Sequence, residues 1–319
     1  MLSRTANDLY WMSRQIERAE NTARMLDITY RMSLLPYRIM KPGEKWSEPW
    51  AGPLIINGLA TAYYEHYDDL TAENVLQFMV LDRDNSSSIY SCMETARDNA
   101  RAQRGAISTE MWESLNATWL EMRSHTYSSI NRIGVSEFFE WVKDRSHLFR
   151  GVMVGTMLRD EAFAFSRVGT FLERADNTAR ILDVKYHTLL PSVTDVGGAV
   201  DYYQWSALLR SLSAFNAYRK IYRDTITPHR VAELLILRAD VPRSLHACMN
   251  ETYDILKELC DGESMEPERL AGELHAQLHY GKTEHVMEEG LHEYLMVFID
   301  QIKALDSEIN KYFLAPAYA

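Results

Sequence analysis

The chain has 319 residues, 46% hydrophobic and 25% charged, with a formal net charge of −11. That hydrophobic share is ordinary for a folded globule and excludes a disordered or fibrous chain, while the length suits about two domains of ~150 residues each. The acidic balance argues against a nucleic-acid backbone as partner, because phosphate binding needs a basic patch.

The opening stretch MLSRTANDLYW carries charged and polar residues where a signal peptide needs an apolar core. No run of about 18 apolar residues follows anywhere. A cytoplasmic protein without membrane contact is expected.

Next comes a long helix. Met12, Ile16, Ala19, Ala23, Leu26 and Tyr30 recur at three- and four-residue steps, which makes a heptad-like core seam whose central alanines let a partner helix approach closely. Leu35-Pro36 stops it, and Pro42-Gly43, Pro49 and Pro53 mark a loop. Aromatic residues are dense here: Trp46, Trp50, Tyr63, Tyr64 and Tyr67 are read as core and loop packing, with a peptide-binding groove as the alternative.

Beyond the loop, Thr71, Ser86, Ser108 and Ser136 suit helix N-caps, and Pro228 and Pro267 suit first-turn positions. Alternating β-branched runs are nearly absent, so no strand is expected and the fold class is all-α. Cys92, Cys248 and Cys260 lack CxxC spacing and an even count, which points to structural thiols rather than a disulfide framework.

Halfway along, the first helix repeats. Residues 17–30 align with residues 173–186, with ten identities in fourteen pairs, and Val168, Leu172, Ala175, Ala179, Leu182 and Tyr186 repeat the seam. The same offset pairs Leu81 with Leu237, Asp84 with Asp240, Ser88 with Ser244 and Cys92-Met93 with Cys248-Met249. The Leu-Pro stop returns at Leu190-Pro191, followed by Gly197-Gly198. A tandem duplication is therefore expected, with helical units over 1–158 and 159–319 packed intimately together.

The motif helix also has a polar side. At about 100° per residue, Glu17, Glu20, Asn21 and Arg24 fall away from the seam, with Tyr10 and Ile28 on the same line. The second copy places Glu173, Asp176, Asn177 and Arg180 alike, while Arg18 and Arg174 sit nearer the seam. Two readings stand. These groups line a groove or the contact between halves, where arginine can hold a carboxylate or phosphate; or they form a buried polar network that fixes bundle register.

The segments MLSRTANDLYWMSRQIERAENTARMLD and FLERADNTARILD closely resemble the alpha-E family, bacterial helical proteins with an ER motif, over essentially the whole chain. The matching dipeptides are Glu17-Arg18 and Glu173-Arg174. The resemblance implies an accessory component working beside a circularly permuted ATP-grasp ligase, with transglutaminase-like or proteasome-related peptidases as further partners. It also implies a role in amide-bond formation or peptide modification on a peptide or amino-acid substrate. A non-catalytic scaffold for such a ligase is the leading expectation. An enzyme with a Glu/Arg site between the halves, Glu17 or Glu173 serving as acid/base, is the second.

A metal-binding bundle is the third. Glu289 and His292 form one ExxH step with His285 a turn earlier, and Asp144-His147 gives a loose DxxH, whereas di-metal bundles use ExxH twice. His275 and His279 stand one turn apart and are read as solvent-facing, since two ligands are too few for a site. No phosphate loop, dinucleotide fingerprint or nucleophile elbow occurs, so no cofactor is expected and any ATP would be bound by a partner.

Overall fold

The computed structural model describes residues 1–34, 50–188, 198–263 and 265–315. Among these residues there are helices and no strands. The expected stops at Leu35-Pro36 and Leu190-Pro191, the loop signals Pro42-Gly43, Pro49 and Gly197, and Trp46 lie outside the described residues.

The elements come in two runs. The first is α1 (Ser3–Ser33), α2 (Ala51–Ile56), α3 (Ala60–Tyr64), α4 (Ala72–Leu76), α5 (Ile89–Ala102), α6 (Thr109–Met122), α7 (Tyr127–Ile133) and α8 (Val135–Thr156). The second is α9 (Glu161–Thr188), α10 (Ala199–Ser211), α11 (Phe215–Tyr222), α12 (Pro228–Ala232), α13 (Leu245–Cys260), α14 (Glu266–His279), α15 (Thr283–Glu289) and α16 (Leu291–Ile309). Widened π-turns continue α4 as Gln77–Leu81, α12 as Glu233–Leu237 and α16 as Asn310–Leu314.

Local chemistry repeats with the order. Thr71 and Thr227 cap α4 and α12, and Ser88 and Ser244 cap α5 and α13, each hydroxyl accepting a backbone N–H three residues on. Such caps satisfy amide donors that a helix leaves open at its start. Gly134 and Gly290, before α8 and α16, have φ of 103° and 100°, a left-handed region that favours glycine. The tyrosine hydroxyls of Tyr63 and Tyr218 each donate to a main-chain carbonyl, of Asp69 and Thr225, at 2.8 Å.

Two of the expected caps fall elsewhere. Ser88 rather than Ser86 begins α5, because Ser86 lies in the turn that Asn85 closes by accepting the Ser87 N–H. Ser136 sits inside the first turn of α8 and donates its hydroxyl to Asp27 at 2.9 Å. Thr71 and Ser108 cap as expected, and Pro228 and Pro267 occupy first-turn positions.

Each long motif helix is the centre of its own bundle. Helix α1 packs on α5 and α8, and α6 bridges those two; α9 packs on α13 and α16, and α14 bridges them. The seam residues face these bundles: Met12, Ala23 and Leu26, and Val168, Leu172, Ala175, Ala179 and Leu182, are fully buried. Trp50 and Tyr63 join the first core, while Tyr64 is exposed. Cys92, Cys248 and Cys260 are free and buried.

The two bundles meet along α1 and α9, the most extensive helix pair among the described residues. At one crossing the backbones nearly touch: a Cβ at Gly169 would lie 2.3 Å from the Tyr10 carbonyl oxygen. No helix among the described residues is long and apolar enough to cross a membrane.

Candidate functional site

With the seams turned into the two bundles, the polar sides of α1 and α9 are left to face each other. This is what places the motif charges in the middle of the molecule. Glu17 and Glu20 are fully buried, and Arg14, Asn21, Arg24, Glu173 and Arg174 are nearly so.

The contacts are reciprocal. Arg174 donates to Glu17 through Nε at 3.0 Å and Nη2 at 2.9 Å, and Arg18 donates to Glu173 through Nε at 2.6 Å and Nη2 at 2.9 Å. Each ER dipeptide thus supplies the carboxylate for the other's arginine. Bidentate pairs of this kind fix orientation as well as adding energy.

Around that shared core the two helices differ. Glu17 also accepts from Arg150 at 2.8 Å and Arg243 at 2.9 Å. Glu20 accepts from Arg24 at 2.8 Å, Arg150 at 2.5 Å and Ser146 at 2.7 Å, and it is bonded by Arg243 as well. On the other side Glu173 takes Arg14 at 2.9 Å, and Arg14 continues to Asp306 of α16 at 2.7 Å. Among the described residues Asp176 pairs along its own helix, with Arg180 at 2.6 Å.

Burial alone would raise the Glu17 carboxyl, yet Arg174, Arg243 and Arg150 outweigh it and hold the group at about 2. Glu173 is likewise held at about 2 despite burial, by Arg18 and Arg14. Glu20 stays well below the usual range for the same reason, with Arg243 its strongest charge partner. These carboxylates are permanent anions at neutral pH.

A cleft of about 230 Å³ opens beside the lattice, lined by Arg24, His147, Arg150, Arg174 and Arg243. Four arginines there meet two buried carboxylates, Glu17 and Glu20. The mouth therefore carries surplus positive charge. His147, about half exposed, sets Nε2 3.6 Å from Glu20. A larger cleft of about 520 Å³, also lined by Arg150 and Arg174, adds Arg159, Arg167, Phe163 and Phe171.

All the motif residues singled out from the sequence lie on or beside this interface, but the arrangement differs from a simple groove. Arg24 is buried, donating to the Ser211 carbonyl at 2.9 Å and the Ser213 hydroxyl at 2.8 Å, because α10 and the turn after it cover that face. Arg180 is half-buried and reaches the Ile56 carbonyl at 3.3 Å. Asn21 accepts from Arg243 at 3.1 Å, while its own amide Nδ2 is buried without a partner. Asn177 is half-buried, and its Oδ1 is unbonded. The sequence repeat does not single out Arg14, Arg150 and Arg243: none lies within residues 17–30 or 173–186, and Arg150 and Arg243 come from α8 and the turn before α13.

The ExxH step does not gather a metal set. His292 meets Asp183 at 2.5 Å, and Glu289 and His285 are absent from the one close group of three ligand-type side chains among the described residues.

Residues 1–314 match the model of the Alpha-E family, described as a predicted alpha-helical domain with a conserved ER motif. The chain belongs to the Alpha-E family. Its relatives among curated proteins include uncharacterized proteins of Mycobacterium bovis and of two strains of Mycobacterium tuberculosis, each 25% identical over 322 residues. The match takes in 94% of this Alpha-E chain and 35% of each relative, so the chain spans about a third of their length. No solved structure matches it.

Proposed function

We propose that this Alpha-E chain is a non-catalytic helical scaffold, a cytoplasmic accessory unit that docks an ATP-grasp-type amide ligase and presents its peptide or amino-acid substrate. The observation that carries the non-catalytic part is the saturation of the ER lattice. Glu17 and Glu173, held at about 2 by flanking arginines, are too weakly basic to take a proton near neutral pH and have no proton to give, whereas general acid–base work needs a value near the working pH. The motif charges are bonded to one another and fix how the halves meet.

Two further points favour an accessory module. The Alpha-E match occupies 35% of the mycobacterial relatives, so in those proteins the helical unit is one part of a longer chain. The repeated caps, π-turns and left-handed glycines favour a duplicated unit, with 1–158 and 159–319 as its copies joined about an approximate two-fold axis. The ligase, the peptidases and the substrate class rest on the family resemblance.

The test is co-purification of the native complex followed by mass spectrometry, with amide-forming turnover measured for ligase alone, this chain alone and the two together. The expected result is ligase-dependent turnover that the chain stimulates, and none from the chain alone. Turnover by the purified chain alone would overturn the scaffold reading.

One observation favours a second reading, a ligand-binding or catalytic site between the halves. The 230 Å³ cleft has an excess of arginine over carboxylate and an exposed His147 at its mouth, a setting suited to a carboxylate or phosphate group. In that reading His147, rather than either glutamate, would be the proton carrier.

A further inference from the structure

Helices α13 and α14 bring one histidine together with a pair that lies about thirty residues further along the chain. His246 stands in the first turn of α13, and His275 and His279 are one turn apart on α14. One ring nitrogen from each lies within 4.8 Å of the other two. The ring centres form a triangle of 6.0, 5.5 and 5.5 Å.

His246 decides what the cluster is. Its Nδ1 lies 2.7 Å from the Leu237 carbonyl oxygen, an acceptor, so Nδ1 must carry the proton and Nε2 the lone pair. The side chain is only 6% exposed, and Nε2 is buried with no hydrogen-bond partner. A buried acceptor left unmet carries its full desolvation penalty. A backbone carbonyl that fixes the tautomer and leaves the other nitrogen bare is the usual outer support of a metal-binding imidazole.

The surroundings orient the other two rings. Tyr253 stacks on His275 at 5.1 Å and 14°, and Gly272 lets that ring lie against α14, since a Cβ there would come 3.2 Å from it. The other bundle has no equivalent: at the positions matching His246 and His275 it packs Tyr90 against Trp119, centres 4.8 Å apart. The second bundle gives up that aromatic contact for imidazoles.

The geometry points to a zinc-type site made by His246, His275 and His279, tying α13 to α14 and leaving a fourth, solvent-facing position for water. Three neutral imidazoles with one open position suit a tetrahedral divalent ion of borderline softness, with bonds near 2.0–2.1 Å. The exposed His279 can close the remaining distance by changing rotamer. This inference is independent of the ligase reading.

The experiment is titration of the tag-free, metal-stripped full chain with Zn2+ by calorimetry and with Co2+ by visible absorption, alongside thermal melts. The expected result is one ion per chain, tetrahedral Co2+ bands and a zinc-dependent rise in Tm. Changes in outer support typically cost 10–100-fold in metal affinity, so losing a ligand in His246→Gln should cost about 100-fold or more. Because His246 is buried and its variant could misfold, His279→Gln serves beside it. Its metal-free Tm should stay that of the parent while binding falls by a similar factor. Absence of stoichiometric binding would overturn the site. So would unchanged affinity in His279→Gln, or in a folded His246→Gln, the second of which would mean that the surface pair on α14 acts alone.

Discussion

Arg174 holds Glu17 with two parallel hydrogen bonds while Arg18 holds Glu173 in the same way, so one ion pair is made twice in opposite directions across α1 and α9. Reciprocity of this kind is the mark of a two-fold contact, in which each partner offers the same patch to the other. It also makes the charges interdependent. Neither helix can turn or slide without breaking both pairs.

Glu17 carries three arginines, Arg174, Arg150 and Arg243, against two on Glu173. Replacing it by glutamine keeps shape but leaves three guanidinium groups crowded around a neutral amide. Breaking a buried pair typically costs about 3–5 kcal/mol, and Glu17→Gln should fall at the upper end. Glu173→Gln, which frees Arg14 and Arg18, should cost less because Arg14 keeps Asp306. Urea unfolding of the two variants checks the order.

Acid should loosen the molecule for the same reason. The folded values of Glu17 and Glu173, about 2, lie below the usual 4.5. A depressed folded value gives stability that is fully present above the unfolded value and is lost as pH falls through the folded one. Unfolding free energy should therefore be steady above about pH 5 and drop between about 4.5 and 2. The Glu17→Gln variant should show a shallower drop over that window, measured by denaturant titration at several pH values.

The apolar half of this design was legible in the sequence and much of the polar half was not. Three- and four-residue spacing suffices to place Met12, Ala23 and Leu26, and likewise Val168, Ala179 and Leu182, in the core, because a helix's own geometry fixes which side chains share a face. Angular counting likewise put Glu17, Glu20 and Arg24 on a separate face. What covers that face is a tertiary matter. Arg150 and Arg243 come from elements over a hundred residues away, Arg24 is capped by the turn at Ser211–Ser213, and His246 reaches the α14 pair only because α13 and α14 pack together. No periodicity within one helix encodes such contacts.

Gly169 is the residue that lets the two motif helices approach. A methyl group there would meet the Tyr10 carbonyl at 2.3 Å and Arg14 Cγ at 3.2 Å, and a main-chain carbonyl in mid-helix cannot swing aside. Overpacking usually costs about 1–3 kcal/mol, which outweighs the roughly 0.5–1 kcal/mol that alanine gains over glycine inside a helix. Gly169→Ala should lower Tm, whereas Gly151→Ala in α8, where a Cβ meets nothing within 4 Å, should raise it slightly. Paired thermal melts test this.

Cys92 and Cys248 are fully buried beside Arg18 and Arg174, and burial pushes both thiols up to about 12. The positive charges of Arg18 and Arg174 lower them less than burial raises them. A bulky thiol reagent should therefore label neither in the native state at pH 7.5 except at the rate of global unfolding, while urea should expose all three cysteines at once. Fast native labelling of either residue would contradict this packing.

The four motif arginines should separate by how much water reaches them and by what is left behind when each is cut to alanine. Arg24 and Arg174 have side chains 5% and 10% exposed, against 25% for Arg18 and 29% for Arg180. Removing Arg24 strips Glu20 of one partner and also unbonds the Ser211 carbonyl and the Ser213 hydroxyl. Removing Arg174 breaks the bidentate pair on Glu17, and the two remaining arginines are not placed to replace it. Removing Arg18 leaves Glu173 with Arg14. Removing Arg180 leaves only Asp176, itself partly solvated, and a same-helix pair at that exposure is worth about 0.3–0.5 kcal/mol. The expected order of lost stability is therefore Arg24 and Arg174 together, at about 3 kcal/mol or more, then Arg18, then Arg180 under about 1 kcal/mol. Equal losses at all four positions would mean that the interface relaxes as one soft unit, and that the reciprocal pairs do not set how the halves dock.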